Sequence, residues 1–271
     1  MINLFILGVI HKVPNAFVAD PPLEQVITRA METGIRGVNK LNQFSVNWSS
    51  VGYLSKNYED IIFVSSGTGL SSGYFKNFGQ TQRLGLELSL KGTNTNTNKN
   101  LRSFLLNYSY MRATFQSSHT LPAANHPNSV NDVEVGDIIP GMPEHKLNAN
   151  FTYGLLNDLD ISIGLTAASG VFLRGDESNQ LNKTSPYAVF NLQTEYSPKR
   201  NINVFARIEN VMNSDYETMG VLGEASSDEV SVPISELGDT GAGDTAVGPL
   251  DPNFLSPGQP RSFFLGVNIN W

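Results

Sequence analysis

Residues Arg261 to Trp271 read RSFFLGVNINW. Phe263, Leu265, Val267, Ile269 and Trp271 alternate with Phe264, Gly266, Asn268 and Asn270. Alternation with a period of two marks a strand with one apolar face and one polar or small face. The apolar face ends on Trp271. Terminal residues of a domain in water usually fray, whereas a Trp has a physical role in the aromatic girdle where the apolar band of a membrane barrel ends. A tilted spanning strand needs roughly 9–11 residues, which this stretch supplies. The final strand of a soluble sandwich would alternate in the same way, so the rest of the chain must decide.

The same alternation recurs upstream. Leu84, Leu86, Leu88 and Leu90 oppose Arg83, Gly85, Glu87 and Ser89 in a strand expected over residues 74–90. Phe104, Leu106, Tyr108 and Tyr110 share a face of the next, 101–115. Further strands are expected over 145–153, 159–168, 187–196 and 202–211. In 159–168, Leu159, Ile161, Ile163 and Leu165 oppose Asp160, Ser162, Gly164 and Thr166. Nearer the amino terminus, Phe44, Val46 and Trp48 open a long strand running towards Ile61 to Val64. Before it, Leu23 to Arg36 is ambiguous. By propensity it suits a short helix, yet Met31, Thr33 and Ile35 against Glu32, Gly34 and Arg36 suit a strand. With the closing strand, the count is nine.

The connections alternate in length. Gly37–Gln43, Gly92–Asn100, Gly154–Asp158 and Ser197–Asn201 are short, whereas Gln116–Glu144, Ser169–Pro186 and Met212–Pro260 are long. Transmembrane barrels have short turns at one end and long loops at the other, and a soluble sandwich has no physical reason for such parity. The long loops near residues 130, 178 and 235 are therefore expected at one end, opposite the turns near 96, 156 and 199. The charges follow the same logic. Glu87, Asp160, Glu195, Arg207 and Glu209 all fall on the non-apolar face of their strands. Arg or Lys facing lipid near mid-membrane costs roughly 2–4 kcal/mol. Arg83, Glu87, Glu195, Arg207 and Glu209 are accordingly expected to line a lumen. Tyr153, Tyr196 and Trp271, ending strands in one direction, and Tyr110, ending one in the other, would form two interfacial girdles.

Composition excludes several alternatives. The 271 residues are 40% hydrophobic and 16% charged, too apolar and too patterned for a disordered chain. There are no cysteines, so there is neither a disulfide framework nor thiolate chemistry. A net charge of −7 argues against a nucleic-acid partner. No apolar run reaches the roughly 18 residues of a transmembrane helix, which leaves a strand barrel open. Met1 to Ile10, MINLFILGVI, makes a poor signal peptide, with no basic residue before the apolar run. Residues 1–22, rich in proline towards their end, are expected to be irregular, and 23–271 to form the barrel.

No catalytic or metal constellation stands out. His11, His119, His126 and His145 form no HxH or HxxxH pair, and His119 and His126 merely share a loop. There is no GxSxG and no glycine-rich phosphate loop. Neither a catalytic residue, a cofactor nor a metal is expected. The loop holding Glu224, Asp228, Glu229, Glu236, Asp239, Asp244 and Asp251 reads as a solvated surface, or else as an extracellular ligand contact or a calcium site, although its spacing matches no calcium loop.

Four segments resemble TonB-dependent outer-membrane receptors. They are FVADPPLEQVITRAMETGIRG (Phe17–Gly37), NFGQTQRLGLELSL (Asn77–Leu90), INVFARIENVMNSDYET (Ile202–Thr218) and SPGQPRSFFLGVNINW (Ser256–Trp271), and they occur in the family's order. The ending also resembles the signal read by the barrel-assembly machinery, with Gly266, Ile269 and the terminal Trp271 in place. Phe264 stands where that pattern favours a polar residue. The resemblance implies an all-β fold, an antiparallel transmembrane β-barrel of which about nine strands are present. It implies a carboxyl-terminal portion of a receptor for a large scarce nutrient such as a ferric siderophore. Its partners would be outer-membrane lipid, the assembly machinery, the nutrient, and the TonB energy-transducing complex engaged through a plug. No stretch of this chain resembles the plug or a TonB box. The alternative class is a soluble β-sandwich binding module, for example for carbohydrate, which would purify without detergent.

Overall fold

The computed structural model describes residues 21–65, 73–95, 100–122, 130–222 and 253–269. Nine long strands form one antiparallel sheet. In chain order they are β1 (Ile27–Leu41), β2 (Phe44–Tyr58), β5 (Thr81–Asn94), β6 (Leu101–Phe115), β9 (His145–Gly154), β10 (Leu159–Ala168), β11 (Tyr187–Lys199), β12 (Ile202–Glu209) and β15 (Ser262–Ile269). Each pairs with the next of these in sequence, so β1 and β15 are the two edges of an up-and-down meander. Three two-stranded hairpins interrupt the connections: β3 (Ile61–Ser65) with β4 (Gly73–Asn77), β7 (His119–Pro122) with β8 (Val130–Val133), and β13 (Glu217–Leu222) with β14 (Asn253–Pro257). Among the described residues no helix is long and apolar enough to cross a membrane.

The register carries the two-faced pattern across the whole sheet. Leu86 faces Tyr110, Phe104 faces Phe151, Phe151 faces Ile163, and Ile163 faces Leu192. Leu192 faces Ile208, and Val204 faces Val267 two positions further along the same face as Leu265. Residues opposite one another in a ladder point to the same side. Leu86, Leu106, Phe151, Ile163, Leu192, Val204 and Leu265 therefore share one face, as expected from the sequence. No second sheet covers that face: Leu265 is 79% exposed, and Phe151 and Ile163 are each 51% exposed. A sandwich would bury these side chains against a partner sheet.

The ends of the sheet separate as the loop parity requires. The tight turn after Leu41, and those between β9 and β10 and between β11 and β12, lie at one end. The connections after Tyr58, Phe115, Ala168 and Glu209 lie at the other. Residues 96–99 and the tip near 235 fall outside the described residues.

Several expected boundaries shift. The ambiguous segment Leu23 to Arg36 is strand from Ile27 onward, because from Ile27 to Leu41 the chain pairs residue by residue with β2, and that pairing overrides helix propensity. The short turn expected over Gly37–Gln43 is shorter still, because Gly37 to Leu41 belong to β1. Leu41 pairs with Phe44 across only Asn42 and Gln43, with Asn42 in the left-handed region at φ 53° that a tight hairpin needs. The second strand stops at Tyr58 and does not continue to Val64. Glu59 turns the chain at φ 53°, and Gly79 turns it back at φ 74°. The segment expected as one strand over 74–90 is accordingly split into β4 and β5. The long loops 116–144 and 212–260 contain hairpins, and Tyr110 lies within β6 instead of ending it.

Because the chain lacks cysteine, an introduced thiol is unique. Environment-sensitive labels at Leu86→Cys, Phe151→Cys or Ile163→Cys should emit at shorter wavelength in detergent micelles. Labels at Glu87→Cys, Asn150→Cys or Gln193→Cys should report water. Equal emission from the two sets would contradict the two-faced sheet.

Candidate functional site

The best-packed part of the molecule lies at the long-loop end. Val64, Phe78, Ala113, Phe115, Leu121, Val133 and Ile139 form a buried apolar cluster, with Ile62 and Met142 packed against it. Ala113 and Phe115 belong to the polar face of β6, so the first and second connections fold inward over that face. The Phe78 and Phe115 rings lie 4.8 Å apart, and His119 packs on Phe78 at 4.2 Å.

Hydrogen bonds tie all four long connections together. His119 Nε2 lies 2.9 Å from the Phe78 carbonyl oxygen, joining the first connection to the second. Asn131 joins the second to the third: its Nδ2 donates to the Gly175 carbonyl at 3.0 Å and to the Glu177 carboxylate, and its Oδ1 accepts from the Ser178 amide at 2.8 Å. Asn179 accepts from the Ile138 amide at 2.6 Å. The third joins the fourth where the Arg174 amide donates to the Gly220 carbonyl at 3.1 Å and the Leu222 amide to the Arg174 carbonyl at 2.8 Å. Burial pushes the Glu177 carboxyl up, although the Gly175 amide donates to it at 2.9 Å.

Between this cap and the sheet lies a pocket lined by Asp60, Phe63, Phe75, Arg83, Arg174 and Glu177, among others. Its polar wall is a knot around Asp60. Thr81 Oγ1 donates to Asp60 Oδ2 at 2.5 Å, Arg83 Nη2 donates to the same oxygen at 3.1 Å, and Asn57 Nδ2 does so at 3.3 Å. Burial pushes the Asp60 carboxyl up, but the bonds from Thr81, Arg83 and Asn57 and the Arg83 charge outweigh it and hold the carboxyl below its ordinary range. A pocket with two guanidinium groups, two carboxylates and two aromatic rings can take a polar ligand with an apolar part. No trio of His, Asp or Glu gathers at metal-binding distance among the described residues.

The polar residues named from the sequence share one face but not one cluster. Arg83 stands at the loop end with Asp60. Glu87 lies four positions further along β5, in a shallow trough with Ser49, Ser89, Asn107, Ser109, Lys146 and Asn148. Glu195 accepts from Gln193 Nε2 at 2.6 Å near the short-turn end. Arg207 and Glu209 pair at 3.2 Å, and the Arg207 guanidinium lies 4.8 Å from the Phe264 ring centre. Of the three carboxyl-terminal residues, Ile269 pairs with Ile202 on the apolar face, and Trp271 lies outside the described residues. Gly266 faces Phe205, whose ring occupies the space a β-carbon would need. His126 and the acidic run 224–251 are also outside the described residues. Sequence reasoning missed Asp60, Thr81, Asn131 and Glu177. The segment Asn77–Leu90 contained Thr81 and Arg83, but nothing in it announced a partner at Asp60.

Comparison with known proteins agrees with this architecture. Residues 8–211 match the family described as "TonB dependent receptor-like, beta-barrel". The chain belongs to this family and forms part of an antiparallel transmembrane β-barrel. Among solved structures it resembles the siderophore receptor PiuA from Acinetobacter baumannii, with 15% identity, a TM-score of 0.60 and coverage of 89% of this chain and 28% of that one. It resembles the ferric-catecholate import receptor Fiu from E. coli K12 with 16% identity, a TM-score of 0.58, and 91% and 28% coverage. The copper transporter OprC gives 16%, 0.57, and 90% and 31%. The chain thus spans about three-tenths of the length of these structures. No curated protein matches it.

Asp60→Asn should loosen the first hairpin. Removing a buried charged acceptor costs about 1–3 kcal/mol, or roughly one to two decades in opening equilibrium. Amide exchange over residues 60–79 should accelerate accordingly. Since the folded-state carboxyl titrates below its unfolded value, the stabilisation is present above about pH 4 and is lost as pH falls through the folded value. The variant should not show that acid dependence. Unchanged exchange in the variant at neutral pH would remove Asp60 from this role.

Proposed function

We propose that this chain is barrel wall from an outer-membrane TonB-dependent receptor that actively takes up a large scarce nutrient, such as a ferric siderophore. The observation that carries the reading is the sorting of side chains on one sheet. The apolar face is exposed across nine strands, Arg83, Glu87, Glu195, Arg207 and Glu209 occupy the other, and the interconnected loops gather at one end. Family membership over residues 8–211 supports the same reading. Neighbours whose names state siderophore reception, ferric-catecholate import and copper transport support uptake of metal-bearing nutrients as a class. The chain's role is transport and not catalysis.

In this reading the apolar face meets outer-membrane lipid, and the five polar residues face the lumen. The loop cap with the Asp60 pocket lies on the extracellular side, on the path of the ligand. The TonB complex acts through a plug domain, and nucleic acid is no partner. Gly266, Ile269 and Trp271 form the signal read by the barrel-assembly machinery. Gly266 has a packing reason as well, because of Phe205.

Two substitutions separate assembly from ligand binding in the receptor that carries this segment. Trp271→Ala should lower the amount of folded barrel several-fold, measured by heat-modifiable migration on a gel. It should leave the affinity of each folded molecule for ferric siderophore unchanged, measured by titration on intact cells. Ile163→Arg places a charge at the middle of the apolar face and should cost about 2–4 kcal/mol of barrel stability, whereas Ser162→Arg on the other face should not. Normal folded amounts with weakened binding in Trp271→Ala would reverse the assignment. Equal tolerance of arginine at 162 and 163 would overturn the membrane reading itself.

A further inference from the structure

The apolar face is not free of charge, and its charges have one sign. Following the register across all nine long strands, no Asp or Glu occupies an outward position. Four cations do: Arg29, Lys56 and Arg112 at the long-loop rim, and Lys199 beside the turn at the opposite rim. Arg29 stands directly opposite Lys56, Lys56 opposite Gln82, and Gln82 opposite Thr114. Arg112 lies two positions below Thr114, opposite Leu84. With strands about 4.8 Å apart and about 3.4 Å per residue, the backbones of Lys56 and Arg112 lie about 12 Å apart and those of Arg29 and Arg112 about 16 Å apart, a gap that two long cationic side chains reaching towards each other can close on one phosphate group.

This arrangement works against the sheet on its own. Like charges directly opposite in a ladder are destabilising, and Arg29 and Lys56 are both exposed. Among the described residues none of the three cations has an acidic partner at ion-pair distance. Arg29 instead lies 5.3 Å from the ring centre of Tyr58. Met31, Leu54 and Leu84 lie in one row two positions below Arg29 and Lys56, with Arg112 at the end of that row, and Leu86 and Tyr110 lie in the row beneath. A cation placed where an apolar band ends sits at headgroup depth, where anionic headgroups attract it.

We propose that Arg29, Lys56 and Arg112 form a docking site for the phosphate-bearing headgroup of a lipid in the leaflet on the long-loop side. The inference rests on the apolar face being lipid-facing. The lipid's acyl chains lie along Leu54 and Leu84, and its phosphate oxygens accept from the two guanidinium groups and the ammonium, relieving the Arg29–Lys56 repulsion. The missing counter-charge of the rim thus comes from the membrane.

The test uses the full chain in dodecyl maltoside micelles doped with either phosphatidic acid or phosphatidylcholine, with native mass spectrometry counting retained lipid. The wild type should retain phosphatidic acid at least tenfold over phosphatidylcholine, and the preference should fall steeply between 0.05 and 0.5 M salt, as expected for interfacial charges. Arg29→Gln, Lys56→Gln and Arg112→Gln together should abolish the preference. Arg36→Gln, Lys40→Gln and Lys91→Gln, on the polar face, should keep it, and so should Arg29→Lys, Lys56→Arg and Arg112→Lys. Equal retention of the two lipids, a preference indifferent to salt, or equal loss in both neutralised triples would overturn the site. Full displacement by millimolar inorganic phosphate would also overturn it, by showing a small-anion site. The salt dependence of the wild type needs no variant to fold. A chain that binds neither detergent nor lipid would refute the lipid-facing reading, whereas lipid retained without headgroup preference would refute the rim site alone.

Discussion

An amide in hydrocarbon must find its hydrogen-bond partner within the protein. That constraint shapes this chain more than any side-chain contact. The nine long strands satisfy one another edge to edge, and the seven that stand between β1 and β15 in the sheet are paired on both sides. The two outer edges, β1 and β15, each leave one side unpaired among the described residues. An edge in lipid costs several kcal/mol per unsatisfied group, so both edges require further strands. A lumen of the family's width needs more strands than nine, because barrel diameter grows with strand number. The comparison structures, of which this chain covers about three-tenths, have that additional length.

Once pairing is fixed, the usual placement of apolar residues inverts. The spanning part has almost no buried apolar core, since its Leu, Ile and Phe side chains point away from the protein. The conventional core, around Phe78, Phe115 and Val133, sits at the loop end under the hairpins. Burial therefore stabilises the cap, whereas the backbone ladder and the lipid stabilise the wall. Function follows this division. The wall must be continuous and apolar between its charged rims, while the cap can vary its side chains because it stands on its own core. The four connections are bonded to one another in series, so a change at Asn131 or Arg174 reaches two of them at once.

How much of this could be read from the sequence follows from the same division. Period-two alternation fixes which face each residue takes, and it placed Leu86, Phe151, Ile163 and Leu265 together without knowledge of register. Loop length fixed the two ends. Strand limits were less legible, because a strand entering a cap keeps its alternation after leaving the sheet. Ile61 to Ser65 and Gly73 to Asn77 alternate like spanning strands yet pair only with each other. The break between Tyr58 and Ile61 depends on a left-handed Glu59, a residue type that gives no warning of it. The polar network was illegible for another reason. Asp60 and Arg83 are 23 positions apart, Asn131 and Glu177 are 46 apart, and no local pattern signals such long-range pairs. The face of Arg83 was readable, its partner was not.

Asp60 and Glu177 wall the same pocket but respond to acid in opposite directions. Asp60 is held below its ordinary range, so its contribution is complete at neutral pH and disappears as pH falls through that lowered value. Glu177 is raised by burial, so ionisation opposes the folded cap, and its favourable contribution is lost as pH rises through the raised value. The knot at the first hairpin therefore weakens in acid, while protonating Glu177 relieves the cost of burying its charge, although it weakens the bond that the carboxylate accepts from Asn131. Glu177→Gln keeps an acceptor for the Gly175 amide and removes the buried charge. Amide protection around Asn131 and Ser178, taken relative to the exchange rate of free amides at each pH, should rise in the wild type on acidification from neutral pH and should not rise in that variant. If the wild type gains no such protection, the Glu177 carboxylate is already compensated by the Gly175 amide and Asn131, and its ionisation does not weaken the cap.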